Sequence, residues 1–233
     1  MSAPAAVTAR DDSLSFDATV LARRSVRAFQ AREVPEATLR EVFSLAQLAP
    51  SNCNTQPWIV HVVSGAKCNR LRQRLTQAGM DPAQYQPDFP YDGKYPGIYK
   101  DRQHDAAAQL YGAMGIARDD KAGRGLAALR NYSFFDAPHA AFVFLPEPFG
   151  VREAADCGIY GQTLMLLLTA HGLASCPQAA LNFHPKIVRE ELGLPDTLRP
   201  LFGLSFGYED TDAAPNRCHV GRAELDAVVT FHR

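Results

Sequence analysis

Ala49-Pro50-Ser51-Asn52-Cys53-Asn54-Thr55-Gln56-Pro57-Trp58 sets small polar side chains and open backbone between two prolines. Upstream, Leu39, Val42, Phe43, Ala46 and Leu48 recur at three- and four-residue steps after Pro35, the pattern of an amphipathic helix that Ala49-Pro50 ends. Downstream, Trp58-Ile59-Val60-His61-Val62-Val63 is β-branched and aromatic and closes on Ser64-Gly65, the pattern of a strand. A segment of this composition between a helix and a strand is built to hold something.

The chain has 233 residues, 46% apolar and 21% charged, which suits one large globular domain or a protomer that completes its core with a partner. A formal net charge of -1 argues against a nucleic-acid footprint and against a polybasic membrane surface. Small molecules and copies of the chain itself are the expected partners. Cys53, Cys68, Cys157, Cys176 and Cys218 form no C-x-x-C pair and no repeated spacing, so neither a disulfide framework nor a zinc site is expected, and a cytoplasmic location follows. Residues 1–13 read as a loose tail without a signal-peptide pattern. The most apolar run, around residues 164–168, is well short of the roughly 20 residues that span a bilayer, so no membrane partner is expected.

Residues 14–22 predict a short helix capped by Ser13 or Ser15, which delivers Arg23-Arg24-Ser25-Val26-Arg27 at its end. Residues 66–77 predict another helix. From 80 to 99 periodicity gives way to Pro82, Pro87, Pro90 and Pro96 among Tyr85, Phe89, Tyr91, Tyr95 and Tyr99, which predicts a long ordered loop or lid. With 102–116 helical and 122–131 weakly so, residues 80–131 form an excursion from a single domain spanning 14–233. A strand is expected at 140–145, and residues 152–171 make the longest helix, apolar all round from Ile159 to Leu168 and therefore central or in a subunit interface. Gly172 caps it, 173–176 re-enter the sheet, 185–192 make a short helix, 201–208 a strand, and 228–232 a last strand with no hairpin partner. Gly123-Arg124-Gly125-Leu126-Ala127-Ala128 fits G-x-G-x-x-A, but no strand precedes it, so it is no dinucleotide fingerprint.

The loop resembles the Ser-x-x-Asn-x-Gln-Pro-Trp signature of the nitroreductase family of FMN-dependent enzymes, here Ser51, Asn54 and Gln56-Pro57-Trp58. Arg23-Arg24-Ser25-Val26-Arg27-Ala28-Phe29 is similar to that family's upstream mark, Gly172-Leu173-Ala174-Ser175-Cys176-Pro177-Gln178-Ala179 to its turn after the central helix, and Arg222 to its C-terminal arginine. The resemblance spans residues 16–231. It implies an α+β fold with a central, mostly antiparallel sheet flanked by helices, in an intertwined homodimer whose C-terminal strands are exchanged. Lys94-Tyr95-Pro96, Tyr111-Gly112-x-x-Gly115-Ile116, Phe134-Phe135-Asp136-Ala137-Pro138 and Ser175-Cys176-Pro177-Gln178 most resemble the nitrobenzoate-reductase-like branch.

A flavin mononucleotide asks for cations and hydroxyls at its phosphate, a donor near N5, and positive charge near N1 and O2. Arg23 and Ser25 suit the phosphate, because a guanidinium fork matches phosphate oxygens bidentately and a hydroxyl adds a neutral donor. Arg24 stands beside them, and Arg27, two residues on, would reach along the same edge to the pyrimidine side. The resemblance adds Arg222 to the phosphate site, where Val220 replaces a frequent basic residue and Arg217 is the candidate to supply that charge. It also sets Pro50, Ser51, Asn52 and Asn54 against the flavin held by the other subunit, with Gln56 tying the loop to itself. In the turn Cys176, Pro177, Gln178 and Ala179, the backbone near Ala179 would donate to N5 and O4. Tyr95, Tyr99, Phe134 and Phe135 are candidate walls for the acceptor.

Seven scattered histidines suggest no metal, Gly-x-Ser-x-Gly and a P-loop are absent, and no carboxylate pair announces an acid and a base. These absences suit flavin chemistry, with NADH or NADPH as donor and a nitroaromatic or quinone as acceptor in turn. The rival readings are reductive dehalogenation of a halogenated aromatic on the same fold, and a flavin-binding or storage protein without turnover.

Overall fold

The computed structural model describes residues 14–233, so the tail expected over 1–13 lies outside the described residues. The helices among them are α1 (Phe16–Ala22), α2 (Glu36–Ala46), α3 (Gly65–Gly79), α4 (Gly97–Ala113), α5 (Lys121–Leu129), α6 (Val151–Ala170) and α7 (Pro185–Leu192). Strands β1 (Ile59–Ser64), β2 (His139–Pro146), β3 (Ala174–Gln178) and β4 (Leu198–Gly207) form one sheet in the order β1-β2-β4-β3, every neighbouring pair antiparallel.

β2 is buried from His139 to Leu145, which explains why its sequence shows no polar alternation. Ala140, Phe142 and Phe144 point to one face, where Leu71 and Leu75 of α3 and Val188 of α7 cover them. Ala141, Val143 and Leu145 point to the other, against Val42 and Ala46 of α2 and Tyr160, Leu164 and Leu168 of α6. Each large apolar side chain so buried contributes about 1.5–3 kcal/mol. The result is a three-layer core, helices above and below one sheet. α6 can lie this close because residue 161 is glycine: a Cβ there would meet Phe202 Cζ at 2.7 Å.

Ser15 caps α1, its Oγ accepting the Ala18 N–H at 3.2 Å. α7 runs over the expected residues, from a proline at its first position to Gly193 at φ 68. Three expectations change. α4 begins at Gly97, so Tyr99 belongs to a helix rather than to the loop. α5 is a regular helix because the Asp120 carboxylate accepts the Gly123 N–H at 2.8 Å. Residues 228–232 form no strand: they pair with neither β1 nor β3 at the sheet edges, and Val228 and Phe231 stay exposed. Among the described residues no helix is long and apolar enough to cross a membrane.

Candidate active site

β3 is an edge strand, and the segment following α1 runs beside it. Ser25 bridges to Ser175 in parallel, and the Val26 N–H donates to the Ser175 carbonyl at 3.0 Å. This places the buried Cys176 thiol against the Ser25 side chain, with which it hydrogen-bonds, and within the field of Arg27 and Arg23. Burial pushes the thiol up to about 11, against the pull of those groups. Arg23 has its own pKa lowered, first by burial and then by the guanidinium of Arg222. Arg23, Ser25, Arg27, Cys176 and Arg222 therefore converge, and no carboxylate is among the charges acting on Arg23 or Cys176. A guanidinium that faces another guanidinium favours an anion beside it.

Two cavities flank this cluster. One of about 600 Å³ is lined by Arg222, Val228 and, from α4, Arg102, Asp105 and Gln109. A smaller one of about 120 Å³ is lined by Arg27, Tyr111, Asn131 and Phe135. Pro177 and Ala179 are exposed at the end of β3, and Ala179 opens a short 3-10 turn, whose first N–H groups have no partner within the turn.

Several expected residues do other work. The Arg24 guanidinium is bound to the Glu209 carboxylate and donates to the Asn216 carbonyl at 2.9 Å, so its charge is already matched. The buried Gln178 amide donates to the Asn131 carbonyl at 2.9 Å and accepts from Ser205 Oγ, which makes it a brace inside the core. Phe134 is fully buried, edge-on to Phe142 at 6.1 Å, and offers no exposed ring surface. Phe134, Phe135 and Asp136 have φ of 58°, 52° and 66°, a left-handed turn. Non-glycine residues hold such values only when their surroundings dictate them, here two buried rings and Arg72, which donates to the Ser133 and Ala137 carbonyls at 2.9 and 2.7 Å.

Tyr95 and Tyr99 are exposed on the excursion. Tyr95 Oη lies 3.4 Å from Tyr91 Oη, and that hydrogen bond, ahead of burial, pushes Tyr91 up to about 12. Tyr91 and Tyr85 rest on the ring of Phe183 at 5.6 and 4.8 Å. Arg189 clamps the same loop through its ion pair with Asp88, and His184 Nδ1 donates to the Gln84 carbonyl at 2.8 Å. Arg102, over the Tyr99 ring at 5.7 Å, links that tyrosine to the larger cavity.

Ser51–Gln56 lies elsewhere. It enters β1, the sheet edge opposite β3, at the end where Ile59 pairs with Phe144, whereas Ser175 pairs with Phe206 at the other end. From strand spacing and rise the two corners are separated by about 14 Å across the sheet and ~17 Å along it. Within the loop Ser51 Oγ accepts the Gln56 N–H at 2.9 Å, and the Gln56 amide donates to the Asn54 carbonyl at 3.0 Å. The buried Asp156 of α6 accepts the Asn52 N–H at 3.1 Å. Asn52, Cys53, Asn54 and Gln56 are exposed.

Two organising residues escaped the sequence reading. Asp156 carried a signal, an acid set between Ala154-Ala155 and Cys157-Gly158 in the central helix. Asn216, buried beside the Arg24–Ala28 segment, carried none.

The Nitroreductase family model matches residues 20–208, and the chain belongs to the nitroreductase family. It is 46% identical to the FMN-dependent nitroreductase NfnB of Mycobacterium smegmatis, whose structure in complex with NADPH covers 93% of this chain and 97% of that one at a TM-score of 0.89. The FMN- and NADPH-dependent nitroreductase NfnB of Sphigopyxis sp. strain HMH is 38% identical, with 94% and 100% covered and a TM-score of 0.91. A 4-nitrobenzoate reductase of Pseudomonas putida is 33% identical over 93% of this chain and 95% of its own.

Proposed function

We propose that this protein is an FMN-dependent NAD(P)H nitroreductase, acting in the cytoplasm as a homodimer with one FMN at each of two sites and reducing nitroaromatic or quinone acceptors. Residues 14–233 act as its single domain. The observation that carries the reading is that Arg222 faces Arg23 while Arg23, Arg27 and Ser25 all face the buried Cys176 thiol, with no carboxylate among the charges acting on Arg23 or Cys176. The donor set fits a phosphate dianion joined to a ring that becomes anionic on reduction.

When bound, FMN supplies two-electron exchange between a nicotinamide and an electron-poor acceptor. Arg23, Ser25 and Arg222 hold the phosphate. Arg27, beside the smaller cavity, stabilises negative charge at the pyrimidine edge, and the backbone near Ala179 donates toward N5. Pro50, Ser51, Asn52 and Asn54 serve the other protomer's site, a reading supported by the opposite-corner placement of loop and cluster within one chain. The exposed apolar residues Val228 and Phe231 support exchange of the C-terminal segment. Tyr95 and Tyr99 offer aromatic surface to the acceptor, and donor and acceptor occupy the same space in turn, giving ping-pong kinetics.

The test is direct. Protein purified without added cofactor should be yellow and release FMN on heating. Anaerobic NADPH or NADH should bleach it, and a nitrobenzoate should restore the colour within one turnover. Colourless protein that takes up no FMN would sink the proposal, and colour that neither nicotinamide bleaches would favour a storage role.

A further inference from the structure

The anion site is assembled from opposite ends of the chain, and its components repel one another. Arg23 and Arg27 come from the segment after α1, and Arg222 from the stretch after β4. Arg23 feels Arg222 and no carboxylate, so backbone must hold the two in register before any ligand arrives. That backbone is a seam between residues 24–30 and 208–216. Phe29 and Glu209 form an antiparallel bridge, the Gln30 N–H donates to the Tyr208 carbonyl at 2.9 Å, and the Asp210 N–H donates to the Ala28 carbonyl at 3.1 Å.

Asn216 closes the seam at the end nearest the arginines, using both sides of its amide. Its Oδ1 accepts the Arg27 N–H at 2.7 Å, and its Nδ2 donates to the Ala28 carbonyl at 2.9 Å and the Asp210 carbonyl at 2.8 Å. Its own carbonyl accepts from Arg24 Nη1 at 2.9 Å, and the residue is 3% exposed. No other side chain type offers one acceptor and two donors in that plane at that length: aspartate would turn a carboxylate toward two carbonyl oxygens, and leucine would leave every partner unmet.

We infer that Asn216 is the positioning residue of the anion site, fixing Arg222 relative to Arg23 and Arg27 so that the three guanidiniums are pre-organised for one phosphate. The inference rests on the reading of that cluster as the FMN phosphate site. It assigns Asn216 no contact with the cofactor. Its effect passes through the arginines and is therefore confined to ligands that carry the phosphate.

The experiment titrates FMN and riboflavin, by quenching of flavin fluorescence, into full-length protein stripped of flavin. Wild type, Asn216→Ala, Asn216→Ser, Arg222→Ala and the double variant Asn216→Ala/Arg222→Ala are compared. Asn216→Ala is expected to weaken FMN binding by about tenfold or more, the scale of a misplaced charged hydrogen bond, while riboflavin affinity stays within about twofold. Asn216→Ser, which keeps an acceptor for Arg27 and one donor, should fall between, and it supplies the reading where the alanine variant does not fold. The double variant should bind FMN no more weakly than Arg222→Ala alone, because the arginine through which Asn216 acts has gone. Equal loss of FMN and riboflavin affinity, or losses that add in the double variant, overturn the inference and leave Asn216 a residue of general stability. If wild type itself binds riboflavin as tightly as FMN, the failure lies in the phosphate reading and not in the role of Asn216.

Discussion

The two corners of the sheet that carry the polar motifs are built on opposite terms. At the β3 corner the segment after α1 is stitched to its surroundings by Ser175, Glu209 and Asn216, with the Arg24 charge matched by Glu209. At the β1 corner Ser51–Gln56 is exposed, holds itself mainly by its own hydrogen bonds, and reaches the body through a single carboxylate, Asp156. Cys53, Asn54 and Gln56 there have φ of 50°, 56° and 47°, values that cost L-residues about 1–2 kcal/mol each. On the function proposed above, the corner finished within its own chain would hold the phosphate, and the strained, open one would meet the partner protomer.

The contrast breaks most violently if the shared foundation goes. Phe142→Ala empties the face of β2 beneath the arginine corner, and at 0% exposure it should cost about 3–5 kcal/mol in urea unfolding, with both corners lost together. Arg23→Ala attacks one corner only: FMN affinity should fall about 100-fold, near the upper worth of a charged hydrogen bond, while the urea midpoint hardly moves. Asp156→Ala attacks the other. It removes the tether of Asn52 and should cost ~1.5 kcal/mol of stability. Amide exchange in 51–56 should rise while the Arg24–Ala28 segment stays protected. Equal rises at both corners would erase the distinction.

These corners also differ in how much the amino-acid order revealed. The helices and strands were legible because burial imposes a period: α7 matches its expectation residue for residue, and β2 read as a strand from its apolar run. Arg23, Ser25 and Arg222 were legible through resemblance, and the fold brings them together. The partners of Arg24 and Gln178 were not legible, because sequence shows a side chain's chemistry and not its neighbours; Glu209 and Ser205 are distant in the chain. Phe134 was misread because a left-handed turn, invisible in residue types, rotates its ring into the core. Residues 228–232 pair with neither sheet edge of this chain, so β-rich composition alone did not make them a strand.

A milder perturbation touches the sheet between the corners. His139 is buried, stacked on Phe206 at 5.3 Å, with Nε2 accepting the Val34 N–H at 2.9 Å and Nδ1 2.6 Å from Ser64 Oγ. That arrangement requires the neutral ring, and burial lowers its pKa, with Glu33 opposing. Because the folded value lies below the unfolded one, the unfolded state binds the extra proton first. The stability contributed by this site is complete above about pH 6.5 and is lost as pH falls from there toward the folded pKa. His61, also lowered by burial, drains stability over the same range, so the His139 profile should be read in the His61→Asn background. An NMR titration placing the His139 imidazole at or above free histidine would contradict this.

The smallest expected change sharpens the comparison most. Cys53 is exposed, its thiol makes only a long 3.8 Å contact with Asn52 Oδ1, and its φ of 50° is one that glycine adopts freely. Cys53→Gly removes about 1–2 kcal/mol of left-handed strain and adds about 0.5–1 kcal/mol of unfolded-state entropy. The variant should therefore be more stable by ~0.5 kcal/mol, a rise of one or two degrees in Tm by the usual scaling. Cys53→Ala keeps the Cβ and should show no gain. The same glycine should weaken what the loop is for: freed of its imposed shape, it must be ordered each time the site forms, so turnover should fall slightly as Tm rises. If both improve together, the strain at this corner is incidental and the loop is no more shaped for an absent surface than any other turn.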